Sequence, residues 1–550
     1  MRTRAVTLRV AAAVIGVCVC TGHLSAQAHD HQDTGMRAPA DVGRVTFPIS
    51  CRPAARKEFE RGMALLHSFW YEEAGKAFTA SAAADTTCGM AHWGRAMSLL
   101  HQLWSAPDSA DLQTGLTDVR AARAAGLATP RERGYVDAMA AYYDMPTPPR
   151  GDSIKAKQRL TAYAAAAAEQ ARRFPKDDEA QIFYALALLA NADYGDSTFA
   201  ASRQADSILF PLFKKHPRHP GIAHYIIHAN DAPPLAPLAL DAARKYAALA
   251  PAIPHAQHMP SHIFIRVGAW DETIASNRLA TASGELYQRD AGMEGMWSHN
   301  LHTMDFLQYA YLQEGRDAEA QALVDTVLAV QKTTPPDPHI LAYFRSLVAA
   351  RQALELGDWR AAAALPIATA PDSGLSWSAG LNRFARGVGA ARAGDTALAR
   401  AEMAALDGIE HHLRQKDDTT GARDIARERT AVSAWVALAA GDTAGAVRLA
   451  EEAARQENAA VETPLVPARE LQGELLVLLG RGAEAREAFA AALRHNPNRA
   501  RTTFGLAQAA ELAGDPAGAR EAYAKYLALM AKGDGTRPEL AVARRSVALR

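Results

Sequence analysis

Cysteine is scarce in this sequence, 4 in 550 residues, too few for a disulfide scaffold in a chain of this length. Charge of one sign is missing too. Lys and Arg number 60 against 60 Asp and Glu, and no long basic run breaks the balance. The usual electrostatic footprint of a nucleic-acid binder is therefore absent, and no nucleic acid is expected as a partner. After the first 28 residues nothing approaches the roughly 18 uninterrupted apolar residues of a membrane-spanning helix. Convincing alternating strand patterns are lacking. So are H-E-x-x-H and G-x-S-x-G. Hydrophobic residues at 49% and charged residues at 22% exclude wholesale disorder. At roughly 150 residues per domain, the length suggests several domains or one long repeat array.

What the sequence does have begins with a leader. Arg2, Arg4 and Arg9 precede an apolar stretch from Ala11 to Gly22, and Ala26-Gln27-Ala28 supplies a small-residue cleavage site. Residues 1–28 therefore read as a secretory signal, and the mature chain as periplasmic or secreted, with no transmembrane segment. A lipoprotein reading fits less well, because Val precedes both Cys18 and Cys20. Cleavage leaves Cys51 and Cys88, a plausible disulfide pair in an oxidising compartment, worth roughly 3–4 kcal/mol by chain entropy; the alternative is two buried thiols. Either cleavage position, after Ala26 or Ala28, makes a histidine the third residue of the mature terminus, a pattern suited to Cu(II) or Ni(II). Residues 29–45 are polar with Gly and Pro, and read as a disordered lead-in.

From there the pattern is helical. Turns of the Gly-Asp or Gly-Arg kind recur at Gly268, Gly315, Gly357, Gly394, Gly441, Gly480 and Gly514. Gly stops one helix and Asp caps the next. The step from Gly480 to Gly514 is about 34 residues, the tetratricopeptide period. Gly473, Ala485, Phe489, Ala492 and Pro497 fall on the consensus positions of one repeat, and Gly62, Ala74, Phe78 and Ser81 on those of another. The chain thus resembles the tetratricopeptide-repeat superfamily, and the resemblance implies an all-α solenoid of antiparallel helix pairs. It is similar more closely to a group of exported bacterial tetratricopeptide proteins of poorly defined function. Matching segments are Leu66-His67-Ser68-Phe69-Trp70-Tyr71, Cys88-Gly89-Met90-Ala91-His92-Trp93-Gly94, His258-Met259-Pro260-Ser261-His262, His299-Asn300-Leu301-His302 and Arg494-His495-Asn496-Pro497-Asn498-Arg499-Ala500. Three helical stretches follow the lead-in: residues 46–215, a His-rich region 216–325, and residues 326–550.

Histidine is where the composition stands out. Seven of the 19 fall between residues 224 and 302, where a uniform spread would put about 3. His224/His228 and His258/His262 are i,i+4 pairs; His255/His258 and His299/His302 are i,i+3 pairs. Such pairs share a helix face, and two imidazoles on one face can chelate a single ion. A register set by Ala239, Pro251, Gly268, Gly315 and Ala320 places His224 and His228, then His255, His258 and His262, then His302, Asp305 and Tyr309 at groove-lining positions of three successive first helices. Two departures stand out. Extra residues around Glu285 to Trp297 suggest a lid or loop beside the groove, and Thr273 and Asn277 replace the usual Ala and aromatic.

Three readings compete. One is a divalent transition-metal site, such as Zn or Cu, with His224, His228, His258 and His262 as core ligands, His302 and Asp305 completing it, and His255, His299 and Tyr309 lining the groove. Another is a groove whose histidines bind a peptide or carboxylate. The third is a set of buried, mutually satisfied core histidines. The functional expectation is an exported scaffold binding a ligand and a protein or peptide partner. The alternative is a metal-dependent hydrolase or oxidase on the same cluster, with Asp305, Tyr309 or Glu272 as acid or base.

Overall fold

In the computed structural model, the described residues are 41–548, apart from 105, 147–152, 194–195, 368–374 and 458–464. The leader, Cys18 and Cys20, and the histidine-bearing mature terminus lie outside them. From Pro53 onward the chain is a succession of helices, each packed on the next, so that antiparallel pairs stack into a solenoid. Among the described residues the only strand pairing is a two-residue parallel bridge, Met296–Trp297 with Thr333–Thr334. The all-α expectation holds. No helix among the described residues is long and apolar enough to cross a membrane.

The turns work as their composition requires. Gly394, Gly441 and Gly514 end helices at positive φ, and Asp395, Asp442 and Asp515 each accept from the backbone N–H three residues on. One residue releases the chain and the next satisfies an orphan donor of the following helix. Packing between pairs rests on an aromatic wedged between glycines. A Cβ added at Gly473 or Gly505 would come within 2.7 or 2.4 Å of the Phe489 ring, and Gly62 and Gly94 frame Phe78 in the same way.

The lead-in departs from expectation. Val42, Val45 and Phe47 are buried, and the Asp41 carbonyl accepts from Ala252, so residues 41–45 are packed rather than disordered. The apolar side chains outweigh the polar average of that stretch. Cys51 and Cys88 are joined by a disulfide that ties this segment to the N-cap of helix Gly89–Ser98.

One hydrophobic core runs from Val42 to Phe264, unbroken at residue 215, and a second from Leu301 to Ala509. The His-rich helices lie at the seam between them. The solenoid also closes on itself. Trp270 Nε1 donates to the Asn498 carbonyl at 2.8 Å, and Asn498 Nδ2 to the Gly268 carbonyl at 3.1 Å. Gly268 has to be glycine: its φ is +68°, and a Cβ there would sit 2.1 Å from the Pro497 carbonyl. Arg499 is fully buried, paired with Glu470 and Glu355 and hydrogen-bonded to Tyr309.

Candidate metal centre

Three helical segments bring the histidines together. His224 and His228 lie on helix Pro220–Ala229, His255 and His258 on the short helix Pro254–His258, His262 on Pro260–Val267, and His299 and His302 on Ser298–Gln313. Pro260 has no N–H to donate, so the run from Pro254 to Val267 breaks its ladder once and continues. Six of the seven imidazoles converge as two triads, His224/His228/His255 and His258/His262/His302. Within each, one ring nitrogen per residue lies within 4.8 Å of the others.

In the second triad, His258 Nε2 and His262 Nε2 are 3.0 Å apart. Their protons are committed elsewhere. His262 Nδ1 donates to the Asp231 carboxylate at 2.8 Å. His258 Nδ1 donates to Asn277 Oδ1 at 2.7 Å, and that oxygen is fixed as the acceptor because Asn277 Nδ2 donates to the Thr273 carbonyl. Two neutral imidazoles with Nδ1–H present bare lone pairs at Nε2, which repel at this distance. A cation has to stand between them, either a shared proton or a metal ion. In the first triad, His224 Nδ1 donates to the His67 carbonyl at 2.7 Å, leaving Nε2 bare. His228 Nε2 and His255 Nε2 approach it at 3.1 and 3.2 Å, yet one in-plane lone pair accepts one N–H. A tetrahedral ion with nitrogen ligands at 2.0–2.1 Å would hold them about 3.3 Å apart.

The electrostatics favour the neutral, ligating form. Burial, with smaller contributions from neighbouring histidines, drives His224, His255, His258 and His302 well below the ordinary imidazole range. His228 is pushed down to about 3 and His299 to about 4, mainly by burial. Burial opposes ionisation of Asp231, but Arg266 and His262 outweigh it and hold the carboxyl well below the usual range. Asp231 is thus the orienting acceptor behind His262, and Arg266 Nε donates to its other oxygen at 2.9 Å. Phe69 roofs the first triad. Its ring meets His224 at 4.4 Å and His228 at 5.4 Å, and it holds this place in the left-handed region, φ 55°. An apolar side chain in that conformation is strained, and such residues cluster at functional sites.

The expected residues divide. His224, His228, His258, His262 and His302 all lie in the cluster, but they divide between two triads instead of forming the single four-histidine site expected. His255, expected only to line the groove, takes a ligand position in the first triad. His299 lies between the triads, 5.9 Å from both the His255 and His258 rings, with Nε2 buried and unpartnered. Asp305 and Tyr309 do not join. Asp305 pairs with buried Arg351, and Tyr309 accepts from Arg499. Glu272 is bound by exposed Arg244. The segment before Trp297 does lie beside the centre: Tyr287 packs on Trp70 and Trp297, and Trp297 on His299.

Sequence reasoning missed the roles of Asp231 and Asn277. Asn277 was visible as a departure from the aromatic consensus, and the structure gives its reason. A third cluster, His67, Glu179 and His219, also has ligand spacing, but it is closed by hydrogen bonds. His67 and His219 each bond one Glu179 oxygen at 3.0 Å, and Tyr225 OH bonds His67 Nδ1 at 2.9 Å. It braces the His67 carbonyl that orients His224.

No family model and no curated protein matches the chain. Among solved structures, the human IFIT1 dimer with PPP-AAAA is similar at 12% identity over 80% of this chain and 91% of that one, TM-score 0.35. The Cut9-Hcn1 hetero-tetramer of the APC/C is similar at 12% identity over 90% of each chain, TM-score 0.30. The P58(IPK) TPR domain is similar at 14% identity over 84% of this chain and 98% of that one, TM-score 0.21. The helix-pair architecture stands on the packing described above.

Proposed function

We propose that this protein is an exported tetratricopeptide-type scaffold whose histidine-lined interior holds a transition metal, with a protein or peptide partner docking on the same helical surface. One observation carries the metal reading: His258 and His262 bring their Nε2 atoms to 3.0 Å of each other, each with Nδ1 hydrogen-bonded to an acceptor behind it. Neutral nitrogen donors without thiolates suit Zn, Cu, Ni or Fe. The outward-facing acceptors are the supporting bonds that metal-binding imidazoles use to fix their tautomer. The leader and the Cys51–Cys88 bridge support an oxidising, extracytoplasmic location.

The test is metal analysis of purified, dialysed protein, beside a variant in which His224→Ala and His258→Ala remove one ligand from each triad. Bound metal is expected in the native chain and not in the variant. Native protein that retains no metal after exposure to Zn, Cu, Ni or Fe, or a variant with the native content, overturns the reading. A metal-dependent hydrolase or oxidase is the second reading, favoured by the ligand count. Three protein ligands per triad is the number found where a fourth position is kept for water or substrate.

A further inference from the structure

We infer that the two triads form one paired metal centre holding two ions per chain, close enough to share a small bridging anion. This rests on the metal reading above and adds to it the number of ions and their coupling.

The pairing follows from one turn of helix. Pro254–His258 gives His255 to the first triad and His258 to the second, three residues apart, with ring centroids 6.4 Å from each other. Three residues along a helix rise only about 4.5 Å, so a single rigid turn fixes the spacing of the two sites. The two triads are anchored separately. Each has one fully buried histidine whose Nδ1 is anchored, His224 on the His67 carbonyl and His258 on Asn277, and two half-buried partners. One ion cannot satisfy both sets, because His224 and His258 are already the focus of separate contacts at 3.0–3.2 Å. His299 stands between them with a buried, unpartnered Nε2, its ring 5.9 Å from those of both His255 and His258.

The charge calls for the bridge. Neither triad contains a carboxylate, and Asp231, behind His262, is already shared with Arg266. Two divalent ions in neutral imidazole cages would be undercompensated in a largely buried site. A small anion such as hydroxide entering with them, between two three-ligand ions, restores both charge and coordination number.

Cu(II) is the probe, because unpaired spins report distance and bridging. The protein, with His29→Ala and His31→Ala to remove the Cu(II) pattern of the mature terminus, is loaded with Cu(II) under oxidising conditions. Copper is counted by elemental analysis, and spins by electron paramagnetic resonance. Two coppers per chain are expected, with a spin count well below two or a half-field transition. The His228→Ala/His255→Ala and His262→Ala/His302→Ala variants, which spare the buried His224 and His258, should each hold one copper and one full spin. Two coppers with two independent spins overturn the pairing, as does one copper per native chain, and both leave the metal reading standing. A native chain that retains no copper and no other transition metal overturns both. The native ratio of spins to copper decides the matter even where a variant fails to fold.

Discussion

Asn277 occupies the position where a tetratricopeptide repeat usually carries an aromatic, and it holds His258 by its Nδ1 proton instead. Exchanging it for leucine removes the acceptor and frees the ring to move its proton to Nε2, where a ligand must be bare. Asn277→Leu is expected to weaken metal binding about 10–100-fold, and Asp231→Asn to do the same through His262, since outer bonds of this kind carry that much affinity. Chelator competition measures both, and unchanged affinity in both variants would show that these bonds do not orient ligands. At this scale the histidines were legible and their supports were not. An i,i+4 pair announces itself, whereas Asp231 lies in the turn after helix Pro220–Ala229, 31 residues before the ring it orients, where no periodicity points to it. The same helical arithmetic misled for Tyr309. Seven residues after His302 it faces a similar direction but lies about 10 Å further along the helix, within reach of Arg499 rather than the triads.

Single helices carry the logic of the repeat more plainly than they carry charge. Helix Thr419–Ala439 places Glu428 on its buried side, one turn beyond Asp424. Burial, reinforced by Asp424 and opposed by Arg427, pushes the Glu428 carboxyl up to about 8. The folded chain then keeps a proton that the unfolded chain releases near pH 4.5. The folded state binds more protons between these values, so this group's contribution to stability is complete below about pH 4.5 and is lost as pH rises towards 8. Glu428→Gln should remove that slope, gaining on the order of 4 kcal/mol over the native chain at pH 8 and little at pH 4. Urea titrations at the two pH values check it, and equal effects at both would refute the assigned protonation. Element boundaries were readable because Gly and Asp mark them chemically. The packed lead-in was not, because Val42, Val45 and Phe47 are too few and too irregularly spaced to stand out from their polar neighbours.

At the scale of the whole molecule, the clasp between the repeats near Gly268 and Asn498 sets the shape. Repeat period and helix pairing could be read from the sequence; how tightly the superhelix curls could not, since that depends on small rotations summed over many pairs. Arg499 is the buried pin of this clasp. Truncating it to Met strands Glu355 in the interior and leaves Glu470 to Thr502 and the more distant Arg501. Breaking a buried pair in this way costs roughly 3–5 kcal/mol. Arg499→Met should lower the urea midpoint accordingly and enlarge the radius of gyration measured by small-angle scattering. Unchanged stability and dimensions would mean that the closure does not depend on this pin.

The clasp also imposes an order in time. A chain that emerges N-terminus first exposes His302, the last residue of the two triads, almost two hundred residues before Arg499. The helices that carry the imidazoles therefore emerge before the segment that locks Trp270 to Asn498. Closure waits for that segment, and whatever the interior is to contain has its widest access before that moment.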